Sequence, residues 1–345
     1  MTTVMIEDVD PSSADRGVAA HYGDPMREQR VLETAVGLVD RSHRDVLAVP
    51  GEERAGWLHT LTTQHLSGLR AGQGSELLVL SPHGHIEQHA YVTEDGDTAW
   101  LDTEPGAGEG LLKHLESMRF LTRVEPRDAG PERVVLSLVG PGAADVVAGL
   151  GAPRIAEVPP PKFAAGSVLP EPTALYAVRE FEGGLARRVP LGVDLLVPRA
   201  DAEQIAARLG VPRAGLWAYE AIRVAHRIPR LGWETDHRTI PAEAGFLAGA
   251  VHLDKGCYRG QETVARVHNL GRPPRRLVLV HLDGVATDQP PVRGTPVSLD
   301  GRTVGFVGTA VRHHDLGMIA LAVVKRNVAD DARLLVGESA ALIEP

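Results

Sequence analysis

The stretch Lys255-Gly256-Cys257-Tyr258-Arg259-Gly260-Gln261-Glu262 contains the only cysteine of the 345-residue chain. Two glycines bracket the Cys-Tyr-Arg segment, so the backbone there can adopt left-handed or closely packed conformations that a side chain would prevent. Lys255 and Arg259 each lie two residues from Cys257, and nearby cations favour the reactive thiolate over the thiol. A single cysteine is also commonly a small buried hydrophobic residue. The residues alone leave both interpretations of Cys257 open.

The composition is that of a soluble globular protein with a hydrophobic core. Hydrophobic residues make up 43% and charged residues 23% of the chain, and its length predicts two domains, or three if they are small. A single cysteine excludes a disulfide framework and fits a reducing compartment. No apolar run approaches the roughly 18 residues that span a membrane. Residues 1–16 are acidic and have no apolar signal core, which predicts a short disordered lead-in and a cytoplasmic protein.

Charge is unevenly distributed along the chain. The net charge of −9 argues against nucleic-acid binding by the whole surface. Between Lys255 and Arg276, however, six basic side chains accompany one carboxylate, that of Glu262. Such a run suits an anionic small ligand or one contacted stretch of RNA, and it is equally compatible with a solvated basic loop.

Hydrophobic periodicity and turn signals predict a mixture of helices and antiparallel strands. Helices are expected over residues 31–39, 52–66, 110–121, 141–150, 202–209 and 216–226. Strands are expected over residues 44–49, 76–80, 85–92, 98–101, 133–139, 174–179 and 192–197. After a proline pair, short strands separated by glycine turns predict a small antiparallel barrel or sandwich, at residues 276–283, 295–299, 303–309 and 318–324. The proline-rich residues 151–172 predict a surface connection.

Other motifs do not predict a catalytic or metal site. Residues 106–110 read Gly-Ala-Gly-Glu-Gly, which departs from the dinucleotide fingerprint and lacks the lysine of a phosphate-binding loop. The chain has 15 histidines, but none shows the spacing of a zinc motif. No nucleophile elbow for a serine hydrolase is present. No metal site is therefore predicted.

The stretch from Lys255 to Glu262 resembles the signature K-G-C-Y-x-G-Q-E of the YgfZ family of folate-binding proteins, which are relatives of the glycine-cleavage T-protein, an aminomethyltransferase. The match includes the cysteine and continues through Arg266. Further segments resemble the T-protein pattern along nearly the whole chain from His21, at residues 21–25, 37–42, 58–66, 221–223, 241–245, 301–308 and 319–324.

This resemblance implies an α+β fold of three domains in a ring, with tetrahydrofolate bound in the central opening and an antiparallel β-barrel at the C-terminus. The implied divisions are a lead-in over 1–17, a discontinuous folate-binding domain over 18–50 and 150–272, a second α+β domain over 51–149, and the barrel over 273–345.

The resemblance also implies the site residues. Arg223, Trp233 and Glu234 correspond to the lining of the folate pocket, beside Tyr258, Gln261 and Glu262 of the signature. A reduced pterin needs aromatic or apolar faces and a few polar anchors, and its glutamate tail needs a cation such as Arg223. Cys257 and Lys255 are the residues expected to carry chemistry. A mainly structural role for Tyr258 and Gln261, at the domain junction and the helix start, is the alternative.

Two departures from the T-protein bear on the reaction. The T-protein has an aspartate-bearing Gly-Gly-x-x-Asp-Asp strand, where this chain places Glu87 or Gln88. Pro190 stands where the T-protein has the first glutamate of its T-G-E-x-G-Y-E segment, and a proline side chain cannot hydrogen-bond to a pterin. These changes argue against aminomethyl transfer.

The YgfZ branch is tied to the assembly or repair of iron–sulfur clusters and to cluster-dependent enzymes such as tRNA-modifying ones. The resemblance therefore implies an accessory protein that binds tetrahydrofolate and has iron–sulfur proteins or assembly factors as partners. A cluster normally takes four thiolates, so Cys257 would share one with a partner. A one-carbon transferase that uses Glu87 as its acid is the second hypothesis, and an RNA-binding module is the third. The composition predicts no membrane contact and argues against direct nucleic-acid binding.

Overall fold

The computed structural model describes residues 2–152, 175–284 and 289–344. Its helices are α1 Ile6–Val9, α2 Pro25–Thr34, α3 Arg54–Leu61, α4 Gly108–Ser117, α5 Ala143–Gly149, α6 Ala202–Leu209, α7 Leu216–Ala225, α8 Leu247–Ala250 and α9 Gln261–Leu270. Its strands are β1 Val4–Met5, β2 Ala19–His21, β3 Gly37–Asp40, β4 Asp45–Pro50, β5 Gln73–Leu80, β6 Ile86–Glu94, β7 Thr98–Thr103, β8 Arg127–Asp128, β9 Arg133–Val139, β10 Val178–Phe181, β11 Gly184–Val189, β12 Gly192–Pro198, β13 Arg213–Ala214, β14 Arg275–Leu282, β15 Pro296–Leu299, β16 Arg302–His313, β17 Gly317–Lys325, β18 Leu334–Val336 and β19 Ser339–Ile343. Within the described residues, every helix is too short or too polar to cross a membrane.

The first sheet has six strands in the order β10-β11-β12-β9-β3-β13. Neighbouring strands are antiparallel except for β13 and β3, which are parallel. Strands β9 and β12 are almost continuously apolar because both of their faces are covered. On one face, Leu136 and Leu195 pack against Ile205 of α6 and Val147 of α5.

The second sheet has five strands in the order β5-β6-β7-β4-β8. Leu77 of β5 lies opposite Ala90 of β6, and both pack against the helices α3 and α4. Side chains alternate between the two faces of a strand. The opposite face therefore carries Glu76, which lies directly across from Tyr91, and His89 two residues away.

The C-terminal strands form a closed antiparallel barrel in the order β14-β17-β16-β15-β18-β19, filled by small apolar side chains such as Val280 and Ala322. Val224 of α7 packs on its outer surface against Leu279 and Ile319. The predicted α+β fold with a C-terminal antiparallel barrel is confirmed. Strands β11, β18 and β19 and helix α9 were not predicted from the sequence.

Residues 31–39 form two elements instead of the single predicted helix. Helix α2 begins after Asp24, whose carboxylate accepts hydrogen bonds from the amides of Met26 and Arg27, and it ends at Thr34. The backbone then enters β3, where Leu38 pairs with Leu138. Pairing with the central strand β9 outweighs the local helical pattern. The proline-rich connection predicted over 151–172 lies almost entirely outside the described residues.

Hydrogen bonding divides the chain differently from the expected domain boundaries. Strand β4, which the sequence analysis assigns to the first domain, pairs with β7 and β8 of the second sheet. Strand β9, assigned to the second domain, lies between β3 and β12 of the first sheet. The two sheets therefore exchange strands across the expected boundaries at residues 51 and 150.

The N-terminal segment is also ordered, whereas the sequence analysis predicts a disordered lead-in over 1–17. Val4 pairs with His21 in a short two-stranded sheet, and Ile6 is buried with Val18 and Leu216. The acidic composition gave no indication of this packing, because the segment buries one apolar side chain, Ile6, and one carboxylate, that of Asp15.

Candidate functional site

Lys255 anchors the signature loop to the end of α3. Its side chain is buried, and its Nζ donates hydrogen bonds to the carbonyl oxygens of His59, of Thr62 at 2.6 Å and of Gln64 at 3.1 Å. Burial lowers the pKa of Lys255 to about 8. The hydrogen bonds direct the ammonium at these backbone carbonyls, so Lys255 positions the loop.

Cys257 is exposed, which excludes the alternative of a buried hydrophobic cysteine. The loop around it is held closely against the turn between β5 and β6. Gly260 has a φ of 81°, and a Cβ at this position would lie 2.6 Å from the carbonyl oxygen of Ser81 and 2.8 Å from the Cα of Gly84. Only glycine fits this contact, so the backbone presents Cys257 from a fixed loop.

The other signature residues hold the start of α9. The backbone amide of Tyr258 donates to Oε1 of Gln261 at 2.8 Å, and the half-buried Tyr258 ring packs near Phe246 and Val264. Burial raises the pKa of Tyr258 to about 12, so its hydroxyl stays protonated. Glu262 is exposed in the first turn of the helix. These contacts support the structural alternative for Tyr258 and Gln261.

Glu87, one of the two residues that the resemblance places at the T-protein acid, contacts the signature loop. Its carboxylate lies 3.4 Å from the guanidinium of Arg259, and both side chains are about two-fifths exposed. The neighbouring Gln88 points to the other side of the strand, where its buried Oε1 has no hydrogen-bond partner among the residues that the structure describes. The structure therefore brings Glu87, and not Gln88, together with the loop that carries Cys257.

Arg223 does not have the position that the sequence analysis assigns to it. Its side chain is 1% exposed, and its guanidinium bonds to the carboxylates of Glu220 at 2.7 Å and Glu234 at 3.3 Å. It also donates to the carbonyl of Ile228 and, at 2.6 Å, to the hydroxyl of Thr309 in the barrel. Burial alone would lower the pKa of Arg223, but the two carboxylates raise it. Its donors are used internally, so it cannot serve as the cation for a glutamate tail.

Glu234 and Trp233 join the same interior network. Glu234 is fully buried and accepts from the backbone amides of Arg230 at 2.7 Å and Thr309 at 2.8 Å. The guanidinium of Arg230 stacks 3.7 Å from the centre of the half-buried Trp233 ring, and that of Arg293 lies at 5.6 Å. Glu234 thus links the barrel to the loop after α7, while Trp233 keeps a partly accessible aromatic surface.

The face of the second sheet opposite α3 and α4 is called the inner face. It carries a buried cluster that was not predicted from the sequence. Glu76 accepts a hydrogen bond from the hydroxyl of Tyr176 at 2.8 Å and bonds to Nε2 of His89 at 2.7 Å. Burial, and then the charge of Glu76, raise the pKa of Tyr176 well above its ordinary value, so the hydroxyl donates. Nδ1 of the buried His89 has no hydrogen-bond partner within residues 2–152, 175–284 and 289–344. Glutamate and histidine in otherwise apolar strands were the available signal.

Beside this cluster lies Tyr91, a residue that is partly buried. The guanidinium of Arg187 lies 4.8 Å from the centre of the Tyr91 ring. Arg187 in turn bonds to Asp102 at 2.6 Å and Asp194 at 3.1 Å, and Arg44 also contacts Asp102 at 3.1 Å. The inner face therefore combines a carboxylate, an aromatic ring and a histidine with charges that are already paired.

Several of the six basic side chains between Lys255 and Arg276 are bound to other groups within the fold. Lys255 binds the carbonyls described above, Arg275 binds Asp236 and Glu243, and Arg276 pairs with Asp330. The remaining cations lie on or beside α9, namely Arg259, Arg266 and Arg272. A continuous basic strip for RNA is therefore not formed by these six side chains.

A group of metal-ligating residue types lies at the junction of α2 and the barrel: Glu33, His313 and His314. Nδ1 of His313 accepts from the backbone amides of Asp315 and Leu316, both at 3.2 Å. The proton of the neutral ring then lies on Nε2, which has no lone pair for a metal. This protonation disfavours a metal centre at these residues.

Comparison with known proteins gives consistent similarity. Residues 21–163 match the model of the GCVT N-terminal domain. An Arabidopsis thaliana chloroplastic protein, whose name gives it provisionally as a transferase, is 24% identical over 85% of this chain and 66% of its own length. An aminomethyltransferase of Rippkaea orientalis is 28% identical over 87% of this chain and 81% of its own length.

The fold is shared with a solved structure, the glycine cleavage system aminomethyltransferase T from Bartonella henselae. The match has a TM-score of 0.78 at 21% identity and covers 96% of this chain and 91% of that one. Residues 21–163 thus carry the similarity to the GCVT N-terminal domain, and the chain shares the fold of a glycine cleavage system aminomethyltransferase.

Proposed function

We propose that this protein binds tetrahydrofolate, or a one-carbon derivative of it, and serves as an accessory protein for iron–sulfur proteins, as in the YgfZ branch of the superfamily. The observation that carries the proposal is the exposure of Cys257 on a loop fixed by Lys255 and Gly260. A buried cysteine could not meet a partner, and a mobile loop would lose the geometry for ligation.

The residues of the inner face fit a reduced pterin. A pterin carries amino and N–H donors on one edge and a planar ring system, which need acceptors and an aromatic or apolar face. Nδ1 of His89, which has no hydrogen-bond partner among the described residues, is an acceptor when Nε2 donates to Glu76, and the partly buried Tyr91 supplies an aromatic ring. Phe246, 5.0 Å from the His89 ring, connects this face to the packing beneath Tyr258.

Cys257 would supply one thiolate to iron, transiently, or protect an exposed cluster from oxidation. A complete cluster takes about four thiolates, so the remaining ligands would come from the client iron–sulfur protein or from an assembly factor. Cluster-dependent tRNA-modifying enzymes are candidate clients. Arg259 beside Cys257 is paired with Glu87, which keeps the region around the thiol close to neutral in charge.

The proposal is tested by anaerobic titration of the wild type and Cys257→Ser with tetrahydrofolate, followed by transfer from a cluster donor to an apo client. We expect equal folate affinity and a loss of client activation only in Cys257→Ser. His89→Leu is the converse variant, with weakened folate binding and an intact thiol. Equal activation by the wild type and Cys257→Ser would exclude the cysteine from the function.

A one-carbon transferase remains the second candidate because relatives matched over about four-fifths of their own length are named aminomethyltransferases. Glu87, the acid that this hypothesis uses, is also accessible. It predicts turnover of a methylene or methyl donor that Glu87→Gln abolishes. Arg259→Gln is the matched control, since it frees Glu87 from its ion pair and keeps the carboxylate. Turnover that persists in Cys257→Ser would favour this candidate over the accessory role.

A further inference from the structure

Helix α9 is poorly covered by the rest of the protein. Of its ten residues, only Val264 is buried. The first turn is held by the contact between Thr263 and Gly84 and by Tyr258. Beyond Val264, most side chains face solvent, and Leu270 is 68% exposed at the C-terminal end. A helix this exposed obtains little stability from its own packing.

The exposed surface of this helix carries the carboxylate of Glu262 in its first turn and becomes basic towards its C-terminal end, although the protein as a whole carries a net charge of −9. Arg266 and Arg272 form no ion pair among the residues that the structure describes. Arg266 and Leu270 are four residues apart, so they lie one turn apart on the same side of the helix. A large apolar side chain is thus flanked by two cations that have no ion-pair partner in the described part of the chain. Cys257 lies in the loop at the other end of the helix.

We propose that the exposed face of α9, defined by Arg266, Leu270 and Arg272, docks an acidic iron–sulfur protein so that it also covers Cys257. This inference rests on the proposed function, since it supplies the surface by which a client would reach the thiol. The helix is about 15 Å long at 1.5 Å per residue. One ordinary protein–protein interface of roughly 800 Å² per partner can cover both of its ends.

Charge and composition favour a protein over RNA on this face. Single-stranded RNA is bound by rows of cations together with aromatic platforms for its bases. Residues 259–276 contain no phenylalanine, tyrosine or tryptophan, and Lys255, Arg275 and Arg276 are bound internally. An exposed leucine between cations instead matches an apolar contact with a carboxylate rim on the partner.

The test measures the binding of a fluorescently labelled acidic [2Fe–2S] ferredoxin to the full-length chain by anisotropy, at low and high salt. The double variant Arg266→Glu/Arg272→Glu is expected to bind at least about tenfold more weakly, a change of about 1.4 kcal/mol. Leu270→Ser is expected to weaken binding at both salt concentrations, because its contact is apolar. The matched control is Arg302→Glu/Arg333→Glu, which changes the net charge equally at exposed arginines of the barrel.

An equal loss in the control would attribute binding to net charge and overturn the proposal. So would a failure of the wild type to bind ferredoxin at low salt, or tighter binding of a single-stranded RNA oligonucleotide that the same α9 variants weaken. Folate titration of every variant separates this inference from the proposed function. Absence of folate binding in the wild type would contradict the proposed function, whereas the ferredoxin series alone decides the docking surface.

Discussion

At the scale of single residues, Lys255 shows how a charged side chain can serve structure beside a reactive one. Its ammonium satisfies three backbone carbonyls that follow α3. The Lys255 side chain that covers these carbonyls is buried, so water does not hydrate them. A buried carbonyl without a hydrogen-bond donor costs free energy. The lysine of the signature is therefore explained by its contacts with the end of α3, without any reaction.

Replacement of Lys255 by methionine is expected to lower the free energy of unfolding by about 2 kcal/mol or more, because each abandoned buried acceptor costs about 1–3 kcal/mol. The pH dependence has a definite sign. Burial lowers the pKa of Lys255 from 10.5 to about 8, so between these values the unfolded chain binds the proton more than the folded one. Stability of the wild type relative to Lys255→Met should then rise from about pH 8 to about pH 10.5.

Urea denaturation of both proteins across this pH range measures the difference. If the difference in the free energy of unfolding between the wild type and Lys255→Met instead became smaller as the pH rose, the prediction would be wrong. The three carbonyls would then stabilise the ammonium by more than burial destabilises it.

Arg223 gives the second residue-scale prediction. Arg223→Met leaves the buried carboxylates of Glu220 and Glu234 without their guanidinium, and breaking a buried pair typically costs about 3–5 kcal/mol. Arg259→Met, which breaks the half-exposed pair with Glu87, should change stability by less than about 1 kcal/mol. The midpoint of chemical denaturation distinguishes the two variants. Equal midpoints would mean that Arg223 is not the structural link described here.

The residues that could be predicted from sequence were those with a local signal. Cys257 is unique and follows a glycine, and the structure places it at the surface. Arg223 lacked such a signal for its buried state, because Glu234 and Thr309 reach it from elsewhere in the fold. The proximity of Glu76 and His89 could not be predicted from either strand alone, because it depends on the register in which β5 and β6 pair.

At the scale of elements, the signature loop and the turn between β5 and β6 form one packed unit. Gly260 and Gly84 both have positive φ and face each other. A sequence can indicate that each glycine is a turn, but the contact between two turns 176 residues apart depends on the tertiary fold. The same limitation applies to strand β3, for which the helical pattern of residues 31–39 was misleading.

Gly260→Ala tests this unit. The left-handed backbone costs a non-glycine residue about 1–2 kcal/mol, and the new Cβ would lie 2.6 Å from the Ser81 carbonyl, so the loop must shift. We expect a lower melting temperature and an altered rate of Cys257 modification by a thiol reagent. Gly256→Ala is the matched control, because no atom lies within 4 Å of its added Cβ. Equal effects of both substitutions would contradict a specific role for the contact.

At the scale of the whole molecule, Arg230 connects three parts of the chain. Its guanidinium bonds to Asp15 of the N-terminal segment at 2.7 Å, to Glu104 directly after β7 at 2.8 Å and to Glu220 of α7 at 3.3 Å. Composition could predict that the fold has several domains, and family resemblance indicated their architecture. Neither predicted that the acidic N-terminal segment packs into the interior. This packing depends on the pairing of one carboxylate, that of Asp15, with Arg230.

Asp15→Asn is therefore expected to destabilise the entire fold near neutral pH. Burial alone would raise the pKa of Asp15, but the hydrogen bond with His43 and the charge of Arg230 lower it below the ordinary 3.8. A carboxylate with a lowered folded pKa contributes stability above the unfolded pKa and loses it as the pH falls below that value. The stability difference between the wild type and Asp15→Asn should thus be full at pH 7 and shrink below about pH 4. Denaturation at pH 7, 5 and 3.5 measures it, with Asp8→Asn as the exposed control. A pH-independent difference would show that Asp15 acts through packing and not through its charge.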